Sequence, residues 1–314
     1  MSEEEKTVEH KLATTAIHAG EVHDPLGSHV NPIYQTSTFV HEDFEAIESW
    51  GRGEREAYTY SRGDNPTREV LAQKIAALEA YGMENADAVS AMIFSSGMGA
   101  ISAAILGIVS AGDHIITQQV LYGSCDHLFT EQLPNYNITI SRIRGLEAEA
   151  LEAELVKYPN TKVVYLESPT NPTTKVVDLD RLATAAHGVG ATVVVDNTFA
   201  TPINQTPLEL GADLVLHSAT KFLGGHADAL GGVICGAKEL VDKVYHYREI
   251  NGATLHPMAA YLLLRGMKTL ELRLQRQNES AMKIARHLEA HSAIGRVFYP
   301  GLESHDGHAI SKQQ

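Results

Sequence analysis

Short apolar runs alternate with amphipathic stretches along most of this chain. Seven of the runs are only four to six residues long, and most are rich in β-branched side chains, which is typical of strands buried on both faces of a sheet. The stretches at 146–158 and 179–186 place apolar residues at helical spacing instead. This alternation predicts an α/β fold with a mostly parallel sheet and helices on both faces. The predicted strands are residues 91–94, 114–117, 138–143, 162–166, 192–195, 213–216 and 230–235.

The two ends of the chain depart from this alternation. Residues 1–60 lack a sustained period and contain turn formers such as Pro25 and Pro32, so we expect an extended N-terminal arm that lies on a partner. Asn65 can cap a helix and Pro66 suits its first turn, which predicts that the first long helix begins there. Beyond residue 255 the pattern is mainly helical. The predicted division is an arm at 1–60, a large α/β domain at 61–255, and a helical linker with the start of a C-terminal domain at 256–314.

Polar residues that close the predicted strands are candidates for a ligand site, because ligands bind outside the carboxyl ends of parallel strands. The run 192–195 ends in Asp196, and the run 213–216 leads through a polar turn to Lys221. Asp196 could be a helix cap or half of a buried ion pair. A carboxylate and a lysine that face one pocket are also what a pyridoxal-phosphate (PLP) enzyme requires, since the carboxylate keeps the ring nitrogen protonated and the amine attaches to the cofactor.

The surroundings of Lys221 support that second interpretation. Most lysines are solvated surface charges, but Lys221 follows a fully apolar run and precedes Gly224 and Gly225. We therefore expect a desolvated side chain whose neutral amine is available for nucleophilic attack.

A phosphate group needs hydrogen-bond donors, and a small-residue turn at the start of a predicted helix offers them. Ser96 is followed by Gly97, Met98 and Gly99, so backbone N–H groups and the positive end of the helix dipole can meet an anion there. The alternative is a plain tight turn. The dinucleotide fingerprint of a nicotinamide oxidoreductase fails, because Ser102 stands where its third glycine should be. Ser218 and Thr220 can add hydroxyl groups from the opposite wall.

Aromatic and basic residues near these turns complete the candidate site. Tyr122 follows the predicted strand 114–117 and could stack on a planar ring, although a lone tyrosine more often belongs to the core or the surface. Tyr60 and Arg62 lie where the arm ends. Because an arm cannot easily return to its own pocket, we expect them to contribute across a dimer interface.

Composition excludes several other kinds of protein. Lys and Arg total 25 against 39 Asp and Glu, and the resulting net charge of −14 would repel nucleic acid. The two cysteines, Cys125 and Cys235, have neither disulfide-framework nor zinc-site spacing, which favours a reducing, cytoplasmic compartment. The acidic start does not resemble a signal peptide, and no apolar run is long enough to span a membrane. His305 and His308 lack a partner carboxylate pattern, so no metal site is expected.

Six short motifs occur in an order that resembles one enzyme family. They are Tyr60-Ser61-Arg62, Ser96-Gly97-Met98, Tyr122-Gly123, Glu167-Ser168-Pro169-Thr170-Asn171-Pro172, Val195-Asp196-Asn197-Thr198 and Ser218-Ala219-Thr220-Lys221. Together they resemble the Cys/Met-metabolism PLP enzymes, which comprise cystathionine gamma-synthases, cystathionine and methionine gamma-lyases and O-acylhomoserine sulfhydrylases. The resemblance implies the aspartate aminotransferase fold, type I of the PLP-dependent transferases. It also implies a homotetramer built as a dimer of dimers.

The resemblance assigns a role to each candidate residue. Lys221 carries the cofactor, Asp196 pairs with the pyridine nitrogen and Asn171 contacts the ring oxygen. Tyr122 stacks on the ring and acts as acid or base, so the expected catalytic residues are Lys221, Tyr122 and Tyr60. The phosphate is expected to be held by Gly97, Met98, Ser218 and Thr220, joined by Tyr60 and Arg62 of the adjacent subunit.

The resemblance also implies a reaction. The segments 32–39 and 251–257 look closest to methionine gamma-lyases, although those enzymes often have a cysteine where this chain has Ser124. We expect a carbon–sulfur lyase of the methionine or cystathionine gamma-lyase type, with an O-acylhomoserine sulfhydrylase or cystathionine gamma-synthase as the alternative. The family normally continues into a small domain that bears the arginine for the substrate carboxylate. We therefore expect a C-terminally truncated chain, for which a non-catalytic PLP-binding role is a further alternative.

Overall fold

The structure, a computed structural model, describes residues 11–22, 24–145 and 147–314. The acidic first residues, the beginning of the arm and the predicted helix start at 146 lie outside the described residues. The described part is an α/β fold, which confirms the predicted class.

Seven strands form a single sheet in the order β1-β7-β6-β5-β4-β2-β3. Each predicted strand is present within two residues of its expected bounds, because short β-branched runs fit a sheet that is covered on both faces. The strands are β1 Val89–Phe94, β2 His114–Gln118, β3 Thr139–Ile143, β4 Thr161–Glu167, β5 Thr192–Asp196, β6 Leu214–Ser218 and β7 Gly232–Ala237.

One strand breaks the parallel arrangement. Strands β2 to β6 pair in parallel, whereas β7 pairs antiparallel with both β6 and β1. The sheet is therefore mostly parallel, as predicted, and β7 is its reversed member. The carboxyl ends of β4, β5 and β6 consequently meet at one edge of the sheet.

The helices lie before, between and after the strands. The best-defined start is that of α3, where the Asn65 side chain accepts a hydrogen bond from Thr67 N and Pro66 occupies the first turn, as predicted. The helices are α1 Leu12–His18, α2 Phe44–Gly51, α3 Pro66–Glu79, α4 Gly97–Ile108, α5 Gly123–His127, α6 Ala148–Lys157, α7 Leu179–His187, α8 Thr201–Asn204, α9 Lys238–Asn251, α10 Pro257–Met267, α11 Leu270–Glu289 and α12 His308–Gln313.

The core lies on both faces of the sheet. On one face α4 and α9 cover side chains that include Tyr165 and Val194, and on the other α6 and α7 cover Val164 and Val195. A third cluster joins α3, α10 and α11 to the β1–β7 side. This layered burial holds the strand ends at fixed positions around the edge of the sheet.

The N-terminal arm is less extended than predicted, because α1 and α2 lie within residues 12–51. Helix α2 is capped by Asp43, which accepts from Ala46 N. The buried Lys74 donates to the carbonyls of Ala16 and Ile17 at the end of α1. Both helices are too short for their periodicity to stand out from a turn-rich segment, which is why the sequence did not reveal them.

Nothing in the described residues forms a helix with the length and apolar character that crossing a membrane requires.

Candidate active site

The carboxyl ends of β4, β5 and β6 open into one cavity of about 670 Å³. Glu167 pairs in register with Asp196, so the two side chains point to the same face of the sheet. Asp196 in turn pairs with Leu216, five residues before Lys221. Glu167, Asp196 and Lys221 all line the cavity. The predicted convergence of a carboxylate and a lysine from neighbouring strands is thus present.

Most of the residues predicted to bind a cofactor line this cavity, and two do not. The residues at the cavity wall come from α4, the end of β2, the segment after β4, and the ends of β5 and β6. They are Gly97, Met98, Tyr122, Asn171, Asp196, Ser218, Thr220 and Lys221. Tyr60 and Arg62 lie elsewhere in the same chain.

Asp196 is held by a local hydrogen bond and is not part of an ion pair among the described residues. Its Oδ1 accepts from Thr198 N at 2.9 Å. Burial raises the pKa of Asp196, while the hydrogen bonds of Thr198 and the nearby ring of His217 oppose that rise. A partly buried carboxylate without a cationic partner is suited to a positively charged ligand group.

Lys221 differs from the expectation in one respect, since its side chain is exposed and not desolvated. The apolar residues Leu214 and Leu216 point into the core, but the chain leaves the sheet after Ser218 in a tight turn. The Lys221 side chain therefore sits at the mouth of the cavity.

The start of α4 forms the opposite wall, and its geometry fits a phosphate. Ser96 Oγ accepts from Gly99 N at 3.0 Å, which caps the helix, while the first N–H groups of α4 have no acceptor within the helix. A Cβ at Gly97 would lie 2.8 Å from the Ser218 Cβ, so only glycine lets the two walls approach this closely. The positive helix end, with the nearby hydroxyls of Ser218 and Thr220, supplies the donors that a phosphate monoester needs.

Glu167 is a cavity residue whose role the sequence analysis did not identify. Both of its carboxyl oxygens accept from Tyr122 N, at 2.9 and 3.1 Å. Burial and then the neighbouring Asp196 raise the pKa of Glu167 to about 8, against the opposing hydrogen bond from Tyr122. Its position at the end of β4, in register with the end of β5, was the available signal. Glu167 fixes the backbone from which the Tyr122 ring projects.

A buried hydroxyl lies close to Asp196. It belongs to Tyr165, which interacts with Asp196 and Cys125, and burial raises the pKa of Tyr165 well above its ordinary value. Cys125 is also buried, and its burial raises the pKa of the thiol. Neither side chain lines the cavity, so Cys125 is not placed to act as a nucleophile.

Tyr60 and Arg62 face away from the cavity of their own chain. Arg62 Nη1 donates to the Glu249 carbonyl at 2.6 Å, and its guanidinium lies 5.5 Å from the centre of the Tyr60 ring. The Tyr60 side chain is exposed. Their predicted contribution to a site in an adjacent subunit stays a prediction.

A larger cavity of about 1030 Å³ lies between residues 39–58 and the body of the domain. Several of its charged side chains already pair with one another, as Lys238 does with Asp242 and Arg248 with Asp64. The smaller cavity is therefore the better candidate, because it combines unpaired acidic, basic and anion-binding groups. The described residues contain no group of three or more His, Cys, Asp or Glu side chains arranged to hold a metal ion.

Comparisons with known proteins point to one enzyme family. The sequence model for Cys/Met metabolism PLP-dependent enzymes matches residues 13–314. An L-methionine gamma-lyase of Fusobacterium nucleatum subsp. polymorphum is 43% identical over 315 residues, covering 98% of this chain and 77% of that protein. The chloroplastic cystathionine gamma-synthase 1 of Nicotiana tabacum is 42% identical over 307 residues, covering 96% of this chain and 55% of that protein.

The similarity extends to solved structures. The crystal structure of cystathionine gamma-lyase from Lactobacillus plantarum, complexed with L-serine, matches with a TM-score of 0.88 at 36% identity. That match covers 97% of this chain and 76% of the other. Likeness in sequence and likeness in fold therefore extend over nearly the same residues.

Proposed function

This chain belongs to the Cys/Met metabolism PLP-dependent enzyme family, and on that basis we propose that it is a carbon–sulfur lyase acting at the γ-carbon of a sulfur-containing amino acid. The net reaction is hydrolytic: a methionine- or cystathionine-type substrate and one water give 2-oxobutyrate, ammonia and a thiol. PLP is the cofactor of the family.

One observation carries the proposal. Asp196 and Lys221 follow adjacent parallel strands into one cavity, and the start of α4 closes that cavity with free N–H groups. An acid, an amine and an anion site are the three anchors that a ring with a basic nitrogen, an aldehyde and a phosphate requires.

Each anchor has a proposed partner on the cofactor. Lys221 would carry it, Asp196 would meet the ring nitrogen, Asn171 the ring oxygen and Tyr122 the ring face. When bound, PLP withdraws electrons from the substrate Cα and thereby acidifies the protons on Cα and Cβ. The phosphate would be held by Gly97, Met98, Ser218 and Thr220, with Tyr60 and Arg62 of a second subunit.

The side chains of the cavity then move protons. The Lys221 amine, at the cavity mouth, would take the Cα proton, release it, and then remove a proton from Cβ. The Tyr122 hydroxyl donates a proton to the departing sulfur, and Glu167 keeps that tyrosine in place through its backbone N–H.

Elimination is favoured over replacement by the similarity of this chain to methionine gamma-lyases. The segments 32–39 and 251–257, which look closest to methionine gamma-lyases, touch each other through Gln35 Nε2 and His256 Nε2 at 2.9 Å. Similarity to a cystathionine gamma-synthase keeps γ-replacement as the second candidate.

We also propose the setting in which the enzyme works. It acts in the cytoplasm as a homo-oligomer, a dimer of dimers, in which each dimer shares residues between two active sites. Its substrate is a small amino acid, and neither nucleic acid nor a membrane takes part. The proposed domain division stays 1–60, 61–255 and 256–314.

The first experiment tests Lys221. The purified chain incubated with PLP and dialysed is expected to keep the visible absorbance band of lysine-bound PLP, and Lys221→Ala is expected to lose it. Lys175→Ala, a lysine outside the cavity, serves as the control. Full retention of the band by Lys221→Ala would show that the cofactor lysine lies elsewhere.

The second experiment separates the two reactions. Methionine, cystathionine and O-acetylhomoserine are supplied with and without an added thiol, and 2-oxobutyrate and thioether products are measured. A lyase releases 2-oxobutyrate from methionine or cystathionine without added thiol. Thioether formation from O-acetylhomoserine with no 2-oxobutyrate from the other two substrates would identify a γ-replacement enzyme instead.

A further inference from the structure

The turn that carries Lys221 is short and closely packed on one side. Lys221 N donates to the Ser218 carbonyl at 3.0 Å, and Gly225 N donates to the Lys221 carbonyl at 2.8 Å. Gly224 N donates to the Ala219 carbonyl at 2.8 Å. No N–H group of the turn donates to the carbonyls of Phe222 and Leu223.

Arg273, on α11, satisfies both of those acceptors. Its Nη1 donates to the Phe222 carbonyl at 2.9 Å, and its Nη2 donates to the Leu223 carbonyl at 3.3 Å. The same Nη2 reaches the Gly266 carbonyl at the end of α10 at 3.0 Å, and Nε donates to Thr269 Oγ1 at 3.1 Å. One planar guanidinium thus ties the Lys221 turn to the junction of α10 and α11.

The glycines of the turn make room for this arrangement. A Cβ at Gly225, whose φ is +73°, would overlap the Arg273 guanidinium. A Cβ at Gly266 would overlap the Gly224 carbonyl, so α10 contacts the turn backbone directly. Gly225 is therefore matched to the Arg273 guanidinium and Gly266 to the backbone of the turn, which indicates a fitted contact.

Other uses of Arg273 are less consistent with its contacts. Its neighbour Arg276 on the same helix is exposed and pairs with Glu279, as a surface arginine does. Arg273 instead lines the cavity with Lys221, and all three of its nitrogens already donate within the protein. Burial lowers the pKa of Arg273, and no carboxylate of the described residues pairs with it.

We propose that Arg273 is a positioning residue that holds the Lys221 turn so that the Lys221 amine meets the cofactor aldehyde. This inference rests on the proposed function, because it takes Lys221 as the attachment point. Arg273 acts on the backbone of the turn and does not itself touch the reacting atoms. Removing it should impair covalent attachment of PLP more than non-covalent binding of the same ring and phosphate.

The test compares covalent and non-covalent binding in the full chain. Pyridoxine phosphate has the ring and phosphate of PLP but no aldehyde, so its Kd reports the non-covalent site. Attachment of PLP to Lys221 is followed by borohydride trapping and mass spectrometry of the Lys221 peptide. We expect Arg273→Met to slow attachment by about 10- to 100-fold, since a displacement of about 1 Å can cost on the order of 100-fold. The Kd for pyridoxine phosphate should change by less than about twofold.

Two further variants sharpen the result. Arg273→Lys keeps the charge but lacks the planar fork that spans three carbonyls, so it should behave like Arg273→Met. Arg276→Met removes an arginine from the same helix without touching the turn and should match the wild type.

Several results would overturn the inference. One is that Arg273→Met or Arg273→Lys attaches PLP at the wild-type rate. Another is that Arg273→Met loses affinity for pyridoxine phosphate to the same extent as it loses attachment rate, which would make Arg273 a general stabiliser of the fold. If the wild type itself attaches no PLP at Lys221, the proposed function is wrong and this inference falls with it. If the wild type attaches PLP and Arg273→Met does so equally fast, the inference alone is wrong.

Discussion

Two neighbouring carboxyl groups give the cavity its electrostatic character. Glu167 and Asp196 occupy paired positions at the ends of β4 and β5, and each ionised group disfavours ionisation of the other. In the proposed complex Asp196 contacts the positively charged ring nitrogen, whereas Glu167 accepts a hydrogen bond from Tyr122 N. The pair is therefore suited to hold one proton and one negative charge near neutral pH.

Glu167 should make the stability of the protein depend on pH. Its pKa is about 8 in the folded protein against an ordinary 4.5, so the folded state holds the proton more tightly than the unfolded state. The free energy of unfolding should consequently fall as pH rises from about 4.5 to about 8. Glu167→Gln mimics the protonated form and removes this loss. The free energy of unfolding of Glu167→Gln should exceed that of the wild type by a few kcal/mol at most across that range.

The measurement is a series of urea unfolding curves at several pH values. The stability difference between Glu167→Gln and wild type should grow with pH up to about 8 and stay level above it. Glu152→Gln, an exposed change on α6, should give a difference that does not vary with pH. If the stability difference between Glu167→Gln and wild type also does not vary with pH, Glu167 does not hold a proton in the folded state.

Single residues differ in how well the sequence reveals them. Asp196 and Lys221 stand out because an apolar strand precedes each of them, and burial patterns are local. Glu167 also ends an apolar strand, but its hydrogen bond with Tyr122 depends on the distance between β2 and β4. Spacing along the sequence does not give that distance. Arg273 resembles any surface arginine of an amphipathic helix until the fold brings the Lys221 turn beside it.

Among the elements, α4 links stability directly to ligand binding. Ser96 caps this helix, and the free N–H groups next to the cap face the cavity. Ser96→Ala should destabilise the protein by about 1 kcal/mol, the usual effect of losing a cap. It should also weaken binding of pyridoxine phosphate, because a frayed first turn no longer directs its N–H groups at the phosphate.

A cap at another helix supplies the matched comparison. Asp178 caps α7 through Arg181 N at 3.2 Å and does not line the cavity. Asp178→Ala should lose stability to a similar extent and leave the Kd for pyridoxine phosphate unchanged. Urea unfolding and a ligand titration on both variants check this, and equal affinity losses would mean that α4 has no special relation to the phosphate.

For the strands, the hydrophobic pattern predicts that a strand is present better than it predicts the direction of that strand in the sheet. All seven strands follow from short β-branched runs, since burial on both faces selects such residues. The antiparallel direction of β7 does not follow, because an apolar run reads the same whichever way the strand points. The two short arm helices depend on contacts such as Lys74 with the end of α1, which are distant in sequence.

In the whole molecule, the loop with Tyr60 and Arg62 is anchored to the domain by hydrogen bonds although it faces outwards. The Gly63 carbonyl accepts from Arg68 Nη2 at 3.0 Å and from Arg248 Nη2 at 2.5 Å. Both arginines are buried, and burial together with the charge of Arg248 lowers the pKa of Arg68 to about 10. Two buried cations on one carbonyl are costly for a loop without a function. They suit a loop that presents side chains to a second subunit.

If each dimer shares its sites, defects on different chains should complement one another. A Lys221→Ala subunit lacks the attachment point, and an Arg62→Ala subunit lacks the phosphate contact that it gives to its partner. Each variant alone should be inactive or nearly so. After unfolding and refolding of an equal mixture, half of the dimers are mixed and each has one intact site, so about a quarter of wild-type activity should return.

The control uses two defects that belong to one cavity. Asp196 and Lys221 line the same cavity of the same chain, so a mixture of Lys221→Ala with Asp196→Asn contains no intact site in any dimer and should stay inactive. Formation of mixed dimers is verified with differently tagged subunits. If mixed dimers of Lys221→Ala with Arg62→Ala form but show no activity, Arg62 does not contribute to a neighbouring site. If activity returns in that mixture and not in the control mixture, Arg62 acts across the interface.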